Sequence, residues 1–331
     1  MRLCTFEVRT HLGRHQRLGA IVPAGIVDLN FAYALHRAQN GEPRPQAMAD
    51  ALLPSNMLAF LQGGPFAMDR ARHVLERLGN QLTRDVRGIN DETLLYDFSE
   101  VRLKAPVPNP PSLRDFYAFE DHVRRGFEKR GEPIPQEWYE MPVYYKGGHH
   151  NILGTDEDVL WPSFTEKFDY ELEMAAVIGR RGTNLKASEA RNFIAGYMVM
   201  NDFSARDIQR KEMKVRLGPA KGKDWATALG PVLVTADEVP DPYNLQMTAR
   251  VNGELWSEGS SASLYWTFEQ MLEFLTRDDT VLPGDVIGSG TVGTGCGLEL
   301  DRWVKPGDVM ELEIEGLGVL RNRVVRPASV G

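Results

Sequence analysis

Short runs of period two open the chain. Arg2–Val8 (RLCTFEV) and Leu18–Val22 (LGAIV) alternate like half-buried strands, and Ala24–Asn30 (AGIVDLN) reads as a third. The pattern then becomes helical. Pro54–Gly64 (PSNMLAFLQGG) opens on Ser55 and closes on two glycines. Pro65–Asn80 (PFAMDRARHVLERLGN) has proline at its start and Gly79 at its end, the asymmetry expected of helix termini. Residues 80–92 are polar and weakly patterned.

Lys104–Ser112 (KAPVPNPPS) interrupts this texture. Four prolines in nine residues fix φ and remove backbone donors, so no regular element runs through them. Beyond it, short strands dominate: ELEMAAVIG, YMVMNDF, GPVLVTADEV, LQMTARVNGELW, DVIGSGT, DVMELEIEG and GVLRNRV. Asn252-Gly253 marks a hairpin, and Pro-Gly-Asp-Val at 283–286 and 306–309 marks turns that launch strands. Helices are expected near 115–129, 188–195, 204–213 and 267–276. Strands outnumber helices and do not alternate with them, which disfavours a doubly wound parallel sheet. The expectation is a β-rich α+β protein, with a small mixed N-terminal domain over residues 1–103 and a larger β-rich domain over residues 104–331.

Composition narrows the class. The 331 residues are 42% hydrophobic and 25% charged, ordinary for a soluble globular chain. A net charge of -8 gives no electrostatic reason to bind nucleic acid or anionic lipid. Cys4 and Cys296 are too few for a disulfide framework or a cysteine-based zinc site. The first residues lack an apolar targeting segment, and no apolar run approaches membrane-spanning length. A cytoplasmic protein with a small-molecule or protein partner is expected.

Candidate chemistry starts at Phe168–Gly179 (FDYELEMAAVIG), where three acids precede an apolar run. In a strand, Glu171 and Glu173 share a face roughly 7 Å apart, continued by Ala175 and Val177. Adjacent carboxylates repel, and burial makes this worse. Solvent exposure, a shared proton or a hard cation would each relieve it. Asp202 ends the apolar strand YMVMND, where it could meet those acids. Ser204 and Asp207 have the spacing of a helix capping box, and Arg206 and Gln209 share one helix face. Lys223 lies in a Gly-rich loop. His122 borders the apolar stripe of the helix expected near 115–129, with Asp115 two turns earlier. His149 and His150 (KGGHHN) read as solvated loop residues that could also bind metal. No dinucleotide-binding glycine loop, P-loop, GxSxG or HExxH pattern is read, so nucleotide-binding, serine-hydrolase and zincin readings lack support.

DFYAFEDH, DYELEMAAVIG, MNDFSARDIQ and LGPAKGKDW, in this order, resemble the fumarylacetoacetate hydrolase superfamily over roughly residues 105–325, and the N-terminal part is similar to the small domain of its longer members. The resemblance implies a mixed β-roll catalytic domain, a homodimer, and Mg²⁺, Mn²⁺ or Ca²⁺ held by carboxylates. It assigns Asp115, Glu171, Glu173 and Asp202 to the metal and His122 to proton transfer. Arg206, Gln209 and Lys223 would face a substrate oxyanion, and Tyr117, Tyr145 and Thr291 would contact substrate. Asp169 falls outside the ligand pattern and reads as a solvated strand start.

One departure stands out. The family's late glutamate, which orients the histidine, aligns with Val292 in GSGTVGTGCG, and no acid occurs from 286 to 298. Glu120, Asp121 and Glu128 are near His122 in sequence without being evident substitutes. Three readings follow, in order. The first is hydrolysis of a C–C bond in a small anionic 1,3-dicarbonyl acid, such as an acylpyruvate. The second is decarboxylation, tautomerisation or dehydration of a 2-oxo or sugar acid at the same centre, and the third is a metal-stabilised binding protein.

Overall fold

A computed structural model describes residues 1–78 and 82–326; Gly79, expected to end a helix, and Asn80 lie outside the described residues. Among the described residues twelve strands share one sheet. Its path runs Leu95–Tyr96, Gly25–Asp28, Gly13–Val22, Arg2–Thr10, Thr227–Thr235, Ile194–Asn201, Leu172–Ile178, Val286–Gly288, Leu113–Phe116 and Tyr144–Gly147. Strands from both sides of Lys104 are therefore continuous, because Arg2–Thr10 pairs with Thr227–Thr235. Within the sheet, among the described residues, only Ile152–Leu153 beside Thr227–Thr235 and Leu113–Phe116 beside Val286–Gly288 are parallel. A five-stranded sheet carries Glu254–Ser260, Gln246–Val251, Val309–Ile314, Gly318–Val325 and Asp158–Leu160. Its Asn252-Gly253 turn has positive φ at both residues (53° and 80°), the backbone that the sequence pair favours.

Leu172–Ile178 lies inside the large sheet and is buried on both faces. The alternation read from sequence separates two cores. Leu172, Met174, Ala176 and Ile178 pack with Phe168, Tyr170 and Phe203, whereas Ala175 and Val177 pack with Leu3, Met198 and Leu233. Each large side chain buried this way contributes about 1.5–3 kcal/mol. A strand so deep holds whatever precedes it in a fixed place.

Several local expectations change. The third strand stops at Asp28, whose carboxylate accepts the Phe31 N–H at 3.1 Å and caps the helix Leu29–Gln39. A second helix, Pro45–Leu52, follows with proline in its first turn. The helix expected from Ser55 begins at Met57 and is capped by Asn56. The segment near 115 divides: Leu113–Phe116 is a strand, and the helix is Glu120–Glu128. Asp115 therefore sits on a strand, not two helical turns before His122.

Candidate active site

The centre is built where strand ends converge. Leu172 lies opposite Asn201, so Glu171 and Asp202 just beyond them come together, and the Asn201 side chain fixes the Glu171 N–H at 3.0 Å. Asp115 lies opposite Gly288 on one side and Tyr145 on the other. A Cβ at Gly288 would stand 2.3 Å from Asp115 Oδ1, so only glycine leaves room for that carboxylate. Asp115, Glu171, Glu173 and Asp202 are all buried and offer oxygens within 4.8 Å of one another.

Two cations share this space. Lys223 Nζ contacts Glu171 and lies 2.5 Å from Asp202 Oδ2. Arg206 NH1 lies 2.8 Å from Glu171 Oε1 and also donates to the Gln209 side-chain oxygen at 3.1 Å. Tyr145 donates to Asp202 at 2.6 Å and Thr291 to Glu173 at 3.2 Å. All of the predicted oxyanion and substrate-contact residues except Tyr117 thus contact one of the four acids, Gln209 through Arg206. Tyr117 packs edge-on against the His122 ring, with centroids 5.3 Å apart.

The four acids do not share one electrostatic environment. Burial would raise Glu171, but Lys223 and Arg206 hold it at about 2. Burial, and then the Asp202 charge, push Asp115 well above the ordinary carboxylate range. Burial likewise raises Glu173, reinforced by Asp115, Glu171 and Asp202. Asp202 is raised by burial against the opposing pull of Lys223.

His122 is buried on its helix, and its Nδ1 shares a hydrogen bond with Glu299 Oε1. Glu299 lies on the short helix Gly297–Leu300, and its other oxygen accepts the Thr294 N–H at 2.8 Å. Sequence reasoning missed this acid because it sought a glutamate inside the Gly-rich segment. Glu299 stands one residue past the acid-free stretch 286–298, and the chain turns back to bring it to the histidine. Val292, in the aligned position, is buried among apolar residues. The glycine loop read as absent does occur in its spacing, at Gly288, Gly290 and Gly293, but the helix that follows has only four residues and offers no phosphate-binding terminus.

The model of the fumarylacetoacetate (FAA) hydrolase C-terminal region matches residues 112–325. The chain belongs to the fumarylacetoacetate hydrolase family. Human mitochondrial oxaloacetate tautomerase FAHD2A is 31% identical over 327 residues, covering 98% of this chain and 92% of that protein. Oxaloacetate tautomerase YisK of Bacillus subtilis is 32% identical over 250 residues, 74% of this chain and 80% of that protein. Among solved structures, the fumarylacetoacetate hydrolase of psychrophilic Exiguobacterium antarcticum has a TM-score of 0.69 at 24% identity, covering 98% of this chain and 100% of that chain.

Enzymes of the fumarylacetoacetate hydrolase family use a divalent metal, and the acid centre fits one. Glu173 Oε2 and Asp202 Oδ1 are buried without any hydrogen-bond partner, and an unpaired buried oxygen is costly unless a cation or proton meets it. The donor set is all oxygen, which suits a hard cation.

Three readings of individual residues need correction. Asp169 is fully buried: it lies 2.7 Å from both Arg206 Nε and NH2, and accepts the N–H groups of Gly297 (2.8 Å) and Leu298 (3.0 Å). Ser204 does not cap the following helix, which begins at Arg206. Its hydroxyl donates to the Asp202 carbonyl instead, and Asp207 accepts from Glu166 N–H at 3.1 Å. His149 is half-buried and its Nδ1 meets the Pro110 carbonyl at 2.8 Å; neither it nor His150 joins a metal-type cluster among the described residues. Among those residues no helix is long and apolar enough to cross a membrane.

Proposed function

We propose that this protein catalyses keto–enol tautomerisation of a small 2-oxo dicarboxylic acid, with oxaloacetate as the leading substrate. The observation that carries this reading is the His122–Glu299 pair beside the buried acid centre. It is supported by relatives named oxaloacetate tautomerases that align with 98% of the chain. Asp115, Glu171, Glu173 and Asp202 would hold a divalent cation, Mg²⁺ or Mn²⁺ before Ca²⁺. When bound, that cation would act as a Lewis acid toward the substrate's 2-oxo and carboxylate oxygens.

With Nδ1 engaged by Glu299, Nε2 is the imidazole nitrogen free to accept a proton. It takes one from the carbon between the two carbonyl groups, and the Glu299 carboxylate stabilises the imidazolium that results. The same proton is returned to the 2-oxo oxygen, giving the enol with no net change in atoms. Lys223 and Arg206 place positive charge near the oxygen on which negative charge develops. Tyr145 and Thr291 orient the carboxylates. Water takes no part, so tautomerisation asks only that one proton move between two substrate atoms. Assembly as a homodimer, with residues 1–103 as a small domain ahead of the catalytic one, belongs to the same reading and is read directly by sedimentation.

Hydrolysis of a C–C bond in an acylpyruvate is the second reading, and the same His122–Glu299 pair is compatible with it. The objection from Val292 was that no acid orients the histidine for water activation, and Glu299 occupies that role. Proton NMR in D₂O separates the two. Tautomerisation is supported by enzyme-dependent deuterium exchange at C3 of oxaloacetate and faster decay of its enol absorbance. Two acid fragments from an acylpyruvate, without such exchange, would move the assignment to hydrolysis. Carbon dioxide as the product would move it to decarboxylation.

A further inference from the structure

Cys296 is a buried thiol that the proposed chemistry leaves unused. It is fully buried, yet it does not sit among apolar neighbours alone: its Sγ lies 3.5 Å from Glu299 Oε1, the same oxygen that meets His122 Nδ1. Ligand atoms of His122, Cys296 and Glu299 all lie within 4.8 Å of one another. In a tetrahedral zinc site, with Zn–S about 2.3 Å and Zn–N and Zn–O about 2.0–2.2 Å, ligand atoms stand roughly 3.3–3.8 Å apart. No pair stands more than about 1 Å beyond that range.

The backbone that carries these groups is already fixed. Cys296 bridges Glu171 across the strand ends, Thr294 N–H holds one Glu299 oxygen, and Asp169 holds the N–H groups of Gly297 and Leu298. Three protein ligands with a fourth position open is also the ligand count of an accessible rather than a closed zinc site.

We propose that His122, Cys296 and Glu299 form a second, inhibitory site for thiophilic divalent cations such as Zn²⁺ or Cd²⁺, separate from the carboxylate centre. Ligand chemistry distinguishes the two sites. Four carboxylates take hard cations, whereas one nitrogen, one sulfur and one oxygen select softer ones. Occupancy releases the thiol proton to solvent and replaces the His122–Glu299 hydrogen bond, so the imidazole can no longer exchange a proton with substrate. That loss of turnover rests on the role proposed for His122; the binding site does not.

The test titrates Cd²⁺ into the full-length protein saturated with Mg²⁺ and follows the sulfur-to-cadmium charge-transfer absorbance, which needs no substrate. The band should saturate at a single equivalent per chain in the wild type and in Cys4→Ala, and be absent in Cys296→Ala. In Glu299→Gln its midpoint should shift by about tenfold or more. No band in the wild type, or one lost in Cys4→Ala and kept in Cys296→Ala, overturns the proposal. Should Cys296→Ala fail to fold, Glu299→Gln decides alone, and an unshifted midpoint overturns it. Loss of turnover should share the midpoint of the band; inhibition without a band would place Cd²⁺ at the carboxylates and refute the second site.

Discussion

Asp169→Asn tests whether one buried carboxylate holds both halves of the site. The side chain keeps its shape but loses its charge and half its acceptor capacity. On one side Arg206 forfeits two contacts at 2.7 Å, retaining Glu171 at 2.8 Å and the Gln209 side-chain oxygen at 3.1 Å. On the other, the N–H groups of Gly297 and Leu298 compete for a single carbonyl oxygen. Removing one partner of a buried ion pair costs about 3–5 kcal/mol. Glu171 still pairs Arg206, so the lower end, about 3 kcal/mol, is expected. Because Gly297 and Leu298 lead directly into Glu299, the His122–Glu299 pair should loosen as well, and proton exchange should fall more than substrate affinity. Urea unfolding gives the first quantity, and deuterium exchange into oxaloacetate over a range of substrate concentrations gives the second. A solvated carboxylate would change stability by no more than about 0.5 kcal/mol. A variant within that margin, with normal exchange, would refute the argument.

Other substitutions probe neighbouring links. His122→Ala should lower exchange by about 10²–10⁴ while metal affinity, read by calorimetry, is kept; full activity would remove His122 from the chemistry. Glu299→Gln should lower exchange by about 10²-fold or more, because an amide cannot stabilise the imidazolium. Gly288→Ala forces Asp115 from its cradle, so Mg²⁺ affinity should drop about tenfold or more in the same titration. Met174→Ala, on the opposite face of the acid-bearing strand, should cost about 2–5 kcal/mol in urea unfolding yet leave Mg²⁺ affinity unchanged.

The legibility of these features in sequence followed the range of the interactions that make them. Period-two alternation in Leu172–Ile178 and the Asn252-Gly253 turn depend on adjacent residues, and both appear as read. The Leu29–Gln39 helix was hidden because its cap, Asp28, is also the last residue of an apolar strand, and pattern alone does not mark the change. The Glu171, Glu173 and Asp202 grouping could be anticipated because two strand ends meet in an antiparallel pair. Asp169 and Glu299 could not. Asp169 is satisfied by Arg206, 37 residues away, and by backbone 128 and 129 residues away. Glu299 meets a histidine 177 residues earlier. Such contacts leave no local pattern, and the resemblance points to Val292 instead.

The uneven charge of the acid centre makes one further prediction about pH. Asp115 and Glu173 are raised in the fold by burial and by neighbouring carboxylates, so above the ordinary carboxylate range the folded chain binds more protons than the unfolded one. Stability of the metal-free protein from these two groups is present at low pH and is lost as pH rises through their folded values. Glu171, held at about 2 by Lys223 and Arg206 against the effect of burial, acts oppositely: its contribution is present above its ordinary value and is lost as pH falls toward 2. The metal-free chain should therefore be most stable in mild acid. A divalent cation takes the place of those protons, so the stabilisation from saturating Mg²⁺ should be larger at pH 8 than at pH 5. Urea unfolding at both values, with Mg²⁺ and with EDTA, measures the difference. Equal increments at the two pH values would mean that Asp115 and Glu173 exchange no protons for metal, and the carboxylate centre would lose its role as the cation site.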